Sequence, residues 1–311
     1  MRLWRAALAV PVFVGVAVIS GYLVRGRSDD KRGALRVDGR ERTYSLHVPA
    51  EYDGTEAVPL LLALHGRLGT GSGEERLAHL DKVSDEHDFL VVYPDGLDRS
   101  WADGRGGTPA DRQRVDDVKF LSALIDELED KYKIDHTRVY ATGMSNGGFM
   151  SGRLACELAD KIAAVAIVGA SLSEKEAGDC HPAQPVSVLI VQGTADPVVP
   201  FAGGPLGDAG ARGVVLSHDA AVRRFVAADH CAENEKTEHI PDLAGDGTSI
   251  DVTMYGPCAD GSEVRGYVVN GGGHTWPGGM QYLPAMFIGK TTRNLDGSEV
   301  IWEFLSRHER G

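Results

Sequence analysis

The sequence predicts an α/β fold in which a doubly wound, mainly parallel sheet follows an antiparallel hairpin. Short, continuous apolar runs at 59–64 and 89–93 are typical of strands buried on both faces. Between strand-like stretches, residues 115–132 carry apolar side chains at the spacing of one helical face. Strands that alternate with helices indicate a parallel sheet with crossover connections. We expect residues 34–311 to form a single domain, because no composition shift marks a second one.

The remaining elements follow the same alternation. Apolar stretches at 35–37 and 44–48 flank Asp38-Gly39, a dipeptide that favours a tight hairpin turn. Asp296 is placed to cap the last helix. Further strands are predicted at 138–142, 163–168, 186–192, 250–255 and 264–269, and further helices at 147–159, 218–228 and 297–307.

The amino terminus is predicted to carry an export signal. Residues Ala6 to Val24 form 19 uncharged positions with arginines on both sides, about the length that crosses the roughly 30 Å hydrocarbon core of a bilayer. The segment is either a signal peptide, with a weak cleavage site after Ser20, or an uncleaved signal anchor. We therefore expect residues 1–24 to direct export, residues 25–33 to form a charged linker, and the protein to be secreted or tethered outside the membrane.

The net charge and the cysteine content indicate which binding partners to expect. The formal net charge is −13, and the first 33 residues are basic, so the remainder is more acidic still. The acidic remainder of the chain would repel the phosphate backbone of a nucleic acid, so we expect no nucleic-acid partner. We expect membrane contact only through the amino-terminal segment. Four cysteines agree with export; they allow three pairings, and no CxxC pair suggests zinc.

A Gly-x-Ser-x-Gly motif lies between a predicted strand and a predicted helix, at residues 143–147 (GMSNG). In a nucleophile elbow the serine occupies a strained turn, and the flanking glycines remove side chains that would clash there. The turn also aims a helix amino terminus at the site, which favours developing negative charge. The context predicts Ser145 as a nucleophile rather than a residue of an ordinary glycine-rich turn.

A nucleophilic serine needs a base and an acid that orients the base. His274 follows a strand within a GGGHTWP segment, whereas His218, His230 and His308 fall in or beside predicted helices. Asp196 stands at the carboxyl end of strand 186–192, the edge at which open α/β sheets build their sites. Asp208 and Asp219 are weaker rivals because they fall in a loop and at a helix start. We predict His274 as the base and Asp196 as the acid.

Backbone N–H groups of Arg67, after strand 59–64, and of Asn146, after the nucleophile, are predicted to form an oxyanion hole. Asp116 and Asp117 are expected to be structural capping residues at a helix start. Four residues adjacent to the motifs are candidates for the pocket wall, with core or loop packing as the alternative: Trp101, Met144, Phe201 and Trp276.

The motifs together resemble the polyhydroxybutyrate depolymerase and feruloyl-esterase-like family of α/β-hydrolases, especially exported actinobacterial esterases. The resemblance covers about residues 35–307 and implies Ser145, Asp196 and His274 as the catalytic triad. It also implies the disulfide pairs Cys156–Cys180 and Cys231–Cys258. Arg67 departs from the pattern, because many relatives have a smaller residue or a cysteine there. The matching segments are LLALHGRLGTG, YPDGLDRSWADGRG, VDDVKFLSALIDEL, GMSNGGFMSGRLACELAD, QGTADPVVPF and GGGHTWPGG.

The expected function is hydrolysis of a small or oligomeric carboxylic ester through an acyl-enzyme, with neither cofactor nor metal. Short polyester oligomers, feruloyl or acetyl groups on polysaccharides, and small acyl esters are all compatible substrates. No separate polymer-adsorbing segment is recognisable. The same triad would serve a peptidase or a lactonase. A non-catalytic, tethered binding protein is the alternative from another class, although such proteins usually lose a member of the triad.

Overall fold

A computed structural model describes residues 29–232 and 235–311 and contains one ten-stranded sheet with helices on both faces. The predicted signal peptide or anchor and the first residues of the predicted linker lie outside the described residues. Within those two ranges, every helix is too short or too polar to cross a bilayer.

In the described ranges the strands are β1 (Asp29–Val37), β2 (Arg40–Val48), β3 (Val58–Leu64), β4 (Leu90–Pro94), β5 (Ile134–Met144), β6 (Ala164–Val168), β7 (Ser187–Gly193), β8 (Gly204–Pro205), β9 (Val214–Val215), β10 (Glu235–Ile240), β11 (Ser249–Tyr255) and β12 (Val264–Asn270). The helices are α1 (Gly71–Ala78), α2 (Leu80–His87), α3 (Pro109–Arg112), α4 (Asp117–Lys131), α5 (Asn146–Glu157), α6 (Glu174–Asp179), α7 (His218–Ala228), α8 (Ala285–Ile288) and α9 (Gly297–Leu305).

The sheet has the order β1-β2-β4-β3-β5-β6-β7-β12-β11-β10. Within it, the neighbouring strands β4, β3, β5, β6, β7 and β12 run parallel to one another. The predicted doubly wound, mainly parallel fold with an amino-terminal antiparallel hairpin is therefore confirmed. Strands β10 and β11 add a second antiparallel edge. The sequence predicted β11 as a strand but not its direction, and it did not predict β10, whose residues are mainly polar and exposed.

The hairpin of β1 and β2 turns at Asp38-Gly39, where both residues have positive φ, as a type I′ turn requires. The prediction of a linker up to residue 33 is wrong for its last five residues. Strand β1 begins at Asp29 and pairs with β2 along its whole length, with Gly33 opposite Tyr44. The charged composition of this stretch suggested a linker, but an edge strand tolerates charges because one of its faces is solvated.

The core lies in two layers, one on each face of the sheet. Alternate residues of β3 divide between them: Leu60, Leu62 and Leu64 join one layer and Leu61 and Ala63 the other. Helices α4, α5 and α7 cover the first face, and α1, α2 and α9 cover the second. Because each strand is buried on both sides, the central strands read as continuous apolar runs.

The four cysteines pair as the family resemblance implied. One disulfide joins Cys156 at the end of α5 to Cys180 after α6, and the other joins Cys231 after α7 to Cys258 before β12. Each bridge ties a helix on one face of the sheet to a neighbouring loop.

A buried ion pair fixes the start of α4 beneath the edge of the sheet. Arg42 of β2 donates to the Asp117 carboxylate at 2.7 Å, and the exposed fractions of the two side chains are 2% and 0%. The other Asp117 oxygen accepts the Ala102 backbone N–H at 2.7 Å, while Asp116 caps the helix by accepting the Lys119 N–H. The structural role expected for these two carboxylates is confirmed.

We predict that Asp117→Asn lowers the free energy of unfolding by about 3 kcal/mol, because it leaves the Arg42 charge buried without its counter-ion. Asp116→Asn is the matched control: asparagine caps a helix as well as aspartate does, so its effect stays within about 0.5 kcal/mol. Urea unfolding of the two variants and the parent measures the difference. Equal losses in both variants would contradict this account.

Candidate active site

Ser145 occupies the sharp turn between β5 and α5. Its backbone has φ 55° and ψ −114°, a conformation that costs energy for a residue with a side chain. The Ser145 N–H donates to the Val168 carbonyl at 2.8 Å, and its own carbonyl accepts the Phe149 N–H at 2.9 Å. The turn is thus held by the neighbouring strand on one side and by the first turn of α5 on the other.

The two glycines of the motif are required by close backbone packing. A Cβ atom at Gly147 would lie 1.9 Å from the Leu64 carbonyl oxygen, and one at Gly143 would lie 2.5 Å from the same atom. No side chain fits at these distances. The Gly-x-Ser-x-Gly spacing therefore lets the end of β3 lie directly against the elbow.

Asp196 and His274 form a buried pair at the carboxyl ends of β7 and β12. His274 Nδ1 lies 2.7 Å from Asp196 Oδ2, and both side chains are almost fully buried. The other oxygen, Oδ1, accepts the backbone N–H groups of Val198 and Val199. A carboxylate only accepts hydrogen bonds, so the neutral imidazole in this pair carries its proton on Nδ1 and its lone pair on Nε2.

Glycines bring the two loops of this pair together. A Cβ atom at Gly193 would lie 2.3 Å from the Gly272 carbonyl oxygen, and one at Gly273 would lie 2.1 Å from the Ile288 carbonyl oxygen. The Ala195 N–H donates to the Gly272 carbonyl at 2.9 Å, so the loops are also joined by a backbone hydrogen bond. Gly273 packs against the segment 288–289 and Gly271 against Gly247, so the run of three glycines before His274 allows several close backbone contacts.

The segment after β3 lies beside the elbow. In the described parts of the chain, neither the Arg67 N–H nor the Asn146 N–H donates to another protein atom, so both remain available to a ligand. His65 holds the segment: its Nδ1 lies 2.8 Å from the Gly66 carbonyl, and its Nε2 accepts the Gly96 N–H at 2.9 Å. Burial lowers the pKa of His65, which keeps this imidazole neutral.

Trp101 and the Asn146 side chain connect this segment to the elbow. The Trp101 indole N–H donates to the His65 carbonyl at 2.9 Å. The Asn146 amide accepts the Trp101 backbone N–H and donates to both the Trp101 carbonyl and the Asp103 carboxylate. The Asp103 carboxylate forms an ion pair with the Arg105 guanidinium, with 2.5 Å between Arg105 Nη2 and Asp103 Oδ2. The sequence did not single out Asp103, because a single aspartate in a loop carries no motif.

Ser145 lies between two cavities of different character. The larger, about 410 Å³, is also lined by His274, while the smaller, about 30 Å³, is also lined by Asn146. Three arginines border the smaller cavity: Arg67, Arg105 and Arg212. The larger is walled mainly by Leu68, Leu77, Met144, Met280, Tyr282 and Leu283. In the described chain no hydrogen bond joins Ser145 to His274, a contact that in many enzymes tightens only when substrate binds.

Of the four pocket candidates, the structure brings only Met144 to this larger cavity. Trp101 and Trp276 are buried in the interior, where the Trp276 indole donates to Ser298 at 3.0 Å. Phe201 stacks on His218 with ring centroids 5.3 Å apart. Core or loop packing, the alternative left open in the sequence analysis, describes these three residues, because residues adjacent in sequence to a motif point to different sides of the backbone. Tyr282 and Leu283, which do line the cavity, lie in a loop without a motif.

Glu74 is an unexpected member of the cavity wall. Its side chain belongs to the first turn of α1 and is 2% exposed. Burial raises the pKa of this carboxyl to about 8, although a backbone hydrogen bond with Gly66 acts in the opposite direction. Burial therefore favours the protonated form of Glu74 near neutral pH.

Two other groups of side chains have the composition and spacing to hold a metal ion: Asp30, His47 and Asp81 form one, and Glu86, His87 and Glu299 the other. Both lie outside the residues that line the two cavities.

No family model matches the chain, but individual proteins do. A Nocardia uniformis subsp. tsuyamanensis protein named "Putative esterase NocK" is 35% identical over 281 residues, which are 86% of this chain and 80% of that protein. Feruloyl esterase B of Piromyces equi is 32% identical over 73% of this chain. Feruloyl esterase C of Emericella nidulans is 30% identical over 55% of it. The chain spans 41% and 60% of the lengths of these two proteins.

Solved structures share the fold. The acetyl xylan esterase of Aspergillus awamori superimposes with a TM-score of 0.57 at 15% identity, covering 89% of this chain and 99% of that one. A thermostable esterase gives a TM-score of 0.51 at 21% identity over 64% of this chain and 52% of its own. At such identities the likeness concerns the α/β-hydrolase fold alone.

The raised pKa of Glu74 predicts how stability changes with pH. Between about pH 4.5 and pH 8 the unfolded chain loses this proton and the folded chain keeps it, so unfolding is favoured by up to about 1.4 kcal/mol per pH unit. Glu74→Gln does not titrate and removes this loss. Relative to the variant, the parent should become less stable from pH 5 to pH 8, as measured by urea unfolding at both pH values. Parallel stabilities would contradict a buried neutral acid.

Proposed function

We propose that this chain, which belongs to the feruloyl-esterase-like family of α/β-hydrolase esterases, hydrolyses carboxylic esters with Ser145 as its nucleophile. The observation that carries the proposal is the buried hydrogen bond of 2.7 Å between Asp196 and His274. It leaves the imidazole with a free lone pair on Nε2 and a proton on Nδ1, in the same cavity wall as the serine elbow.

In the acylation step, His274 Nε2 accepts the proton of Ser145 as the serine oxygen attacks the ester carbonyl carbon. Asp196 holds the imidazole in the required tautomer and stabilises its charged form. The tetrahedral intermediate then breaks the bond to the alcohol, which takes the proton from His274 as it leaves. The acyl group remains on Ser145.

In the deacylation step, a water molecule gives a proton to His274 and attacks the acyl-enzyme carbonyl. The second tetrahedral intermediate breaks its bond to the Ser145 oxygen, which recovers the proton. The products are a carboxylic acid and the free enzyme. The backbone N–H groups of Arg67 and Asn146 are the proposed donors to the oxyanion in both steps, and the helix dipole of α5 supports the same charge.

We assign the acyl group to the larger cavity because its walls are apolar and it has room for a ring or a short chain. The smaller cavity is about the size of one water molecule and receives the first atoms of the alcohol. The relatives named for feruloyl and acetylxylan esters support esters of small or aromatic acids as substrates. Short polyester oligomers remain compatible with the same two cavities.

We further propose that the protein is exported. The two disulfides support an oxidising compartment, and the uncharged stretch from Ala6 to Val24 supports targeting to the membrane.

Ser145→Ala should lower kcat for a short-chain p-nitrophenyl ester by about 10⁴–10⁶-fold, since the nucleophile and its base act as a unit. Ser151→Ala is the matched control, a buried serine in the same helix whose hydroxyl only donates to the Gly147 carbonyl. Its kcat should stay near that of the parent. Stopped-flow or plate-reader kinetics on folded proteins, checked by circular dichroism, measure the difference. Equal rates in the Ser145→Ala variant and the parent would refute this nucleophile. Faster hydrolysis by the parent of the corresponding amide than of the ester would favour a peptidase.

Export predicts that the protein is recovered outside the cytoplasm with no free thiols. Intact-mass measurement on medium and membrane fractions tests this prediction. A mass lacking about the first 20 residues corresponds to a cleaved signal peptide, and the full mass in the membrane fraction corresponds to an anchor. Full-length protein in the cytoplasm with reactive cysteines would overturn the proposal.

A further inference from the structure

Glu74 places a carboxyl group in a cavity wall that is mainly apolar. Among the described residues that line the larger cavity, it is the only one with a carboxyl group. Leu77, one turn further along α1, and Leu283 and Met280 from the facing loop belong to the same wall. An acid in such surroundings is costly to keep, so its presence needs a reason.

The hydrogen bonds of the Glu74 carboxyl are incomplete. Within the part of the chain that the structure describes, Oε1 is buried and has no partner, while Gly66 supplies a backbone hydrogen bond to the carboxyl. A neutral carboxyl has an O–H donor and a carbonyl acceptor, and the Gly66 N–H engages the acceptor side. The donor side is left without a protein acceptor. Buried polar groups in folded proteins are nearly always paired, so an unpaired one beside a cavity indicates a ligand group.

Capping of α1 does not account for Glu74. Thr70 is the cap of this helix, and its hydroxyl accepts the Gly73 N–H at 3.2 Å. A first-turn acid stabilises a helix mainly as an anion, through the helix dipole. The buried carboxyl of Glu74 is neutral and forgoes most of that interaction.

We propose that Glu74 determines specificity by hydrogen-bonding a hydroxyl group carried by the acyl part of the ester. The proposal rests on the proposed function, because it concerns the acyl group that would occupy this cavity. The hydroxyl of the ligand accepts a hydrogen bond from the Glu74 O–H, while the Gly66 N–H keeps the other oxygen. A phenolic hydroxyl and an aliphatic hydroxyl offer the same chemistry.

The test compares methyl esters that differ by one hydroxyl group. Methyl 4-hydroxycinnamate against methyl cinnamate is the phenolic pair, and methyl 3-hydroxybutyrate against methyl butyrate is the aliphatic pair. Methanol is small enough for the smaller cavity, so the acyl group is directed to the larger one. The quantity measured is the ratio of kcat/KM within each pair.

For the parent we expect a preference of about 10-fold or more for the hydroxylated ester in one pair, because a site with a buried partner for a hydroxyl rejects the analogue that lacks it. Glu74→Leu should bring this ratio close to one by slowing the hydroxylated ester. Glu74→Gln should keep part of the preference, since an amide both donates and accepts. Glu75→Leu is the matched control: the same substitution at the next position of α1, outside the cavity wall, should leave the ratio unchanged.

The two pairs distinguish the sources of the hydroxyl. A preference confined to the cinnamates assigns a phenolic acyl group, and one confined to the butyrates assigns a hydroxyalkanoyl group. An unchanged ratio in Glu74→Leu overturns the proposal. Equal slowing of all four esters also overturns it, because Glu74 would then only hold Gly66 and the segment that follows β3.

A binding measurement separates this proposal from the proposed function. The dissociation constants of the same esters are measured for Ser145→Ala, with and without Glu74→Leu. If the parent hydrolyses none of the esters but binding still favours the hydroxylated member and loses that preference with Glu74→Leu, the recognition site stands and the proposed function fails. Equal dissociation constants within each pair, in the presence of Ser145-dependent hydrolysis, refute the recognition site alone. Melting temperatures confirm that each variant is folded.

Discussion

The Leu64 carbonyl oxygen lies where side chains at Gly143 and Gly147 would otherwise be. This contact between the end of β3 and the elbow sets the position of everything that follows on either strand. It places the Arg67 and Asn146 N–H groups on neighbouring segments and forces Ser145 into its positive φ. A similar contact, between Gly193 and Gly272, brings Asp196 and His274 together at the next strand ends. The site is thus built where backbones touch without side chains between them.

Polar groups then keep these backbone contacts in register. The His65 ring contacts the Gly66 carbonyl and accepts the Gly96 N–H from the loop after β4. From the same loop, the Trp101 indole N–H donates to the His65 carbonyl. The Asn146 amide pairs with both backbone groups of Trp101, so two hydrogen bonds join the first residue of α5 to this loop. Asp117 anchors the same loop through the Ala102 N–H. Hydrogen bonds of this kind are stronger when buried, because no water competes for the donors and acceptors.

The wall of the larger cavity is formed by residues at the strand ends, by helix α1 and by a more exposed loop. Met280 and Leu283 are about half exposed and lie opposite helix α1. Under the proposed function, flexible and apolar side chains would accommodate acyl groups of different shape, and the buried Glu74 would discriminate among them. The two proposed roles would then belong to a loop and to a helix.

Local patterns in the sequence predicted most strands of the large sheet, the four longest helices of the described chain and the hairpin turn, because each depends on a few neighbouring positions. The same kind of pattern led us to propose Ser145, Asp196 and His274 as the triad. Apolar runs mark buried strands, and glycines mark close approaches, wherever the rest of the chain lies. The cavity wall, the Arg42–Asp117 pair and the environment of Glu74 depended on the tertiary structure. Their partners are distant in sequence, and whether a carboxyl is charged or neutral depends on what packs around it. Residues 29–33 became a strand for the same reason, since β2 was there to pair with them.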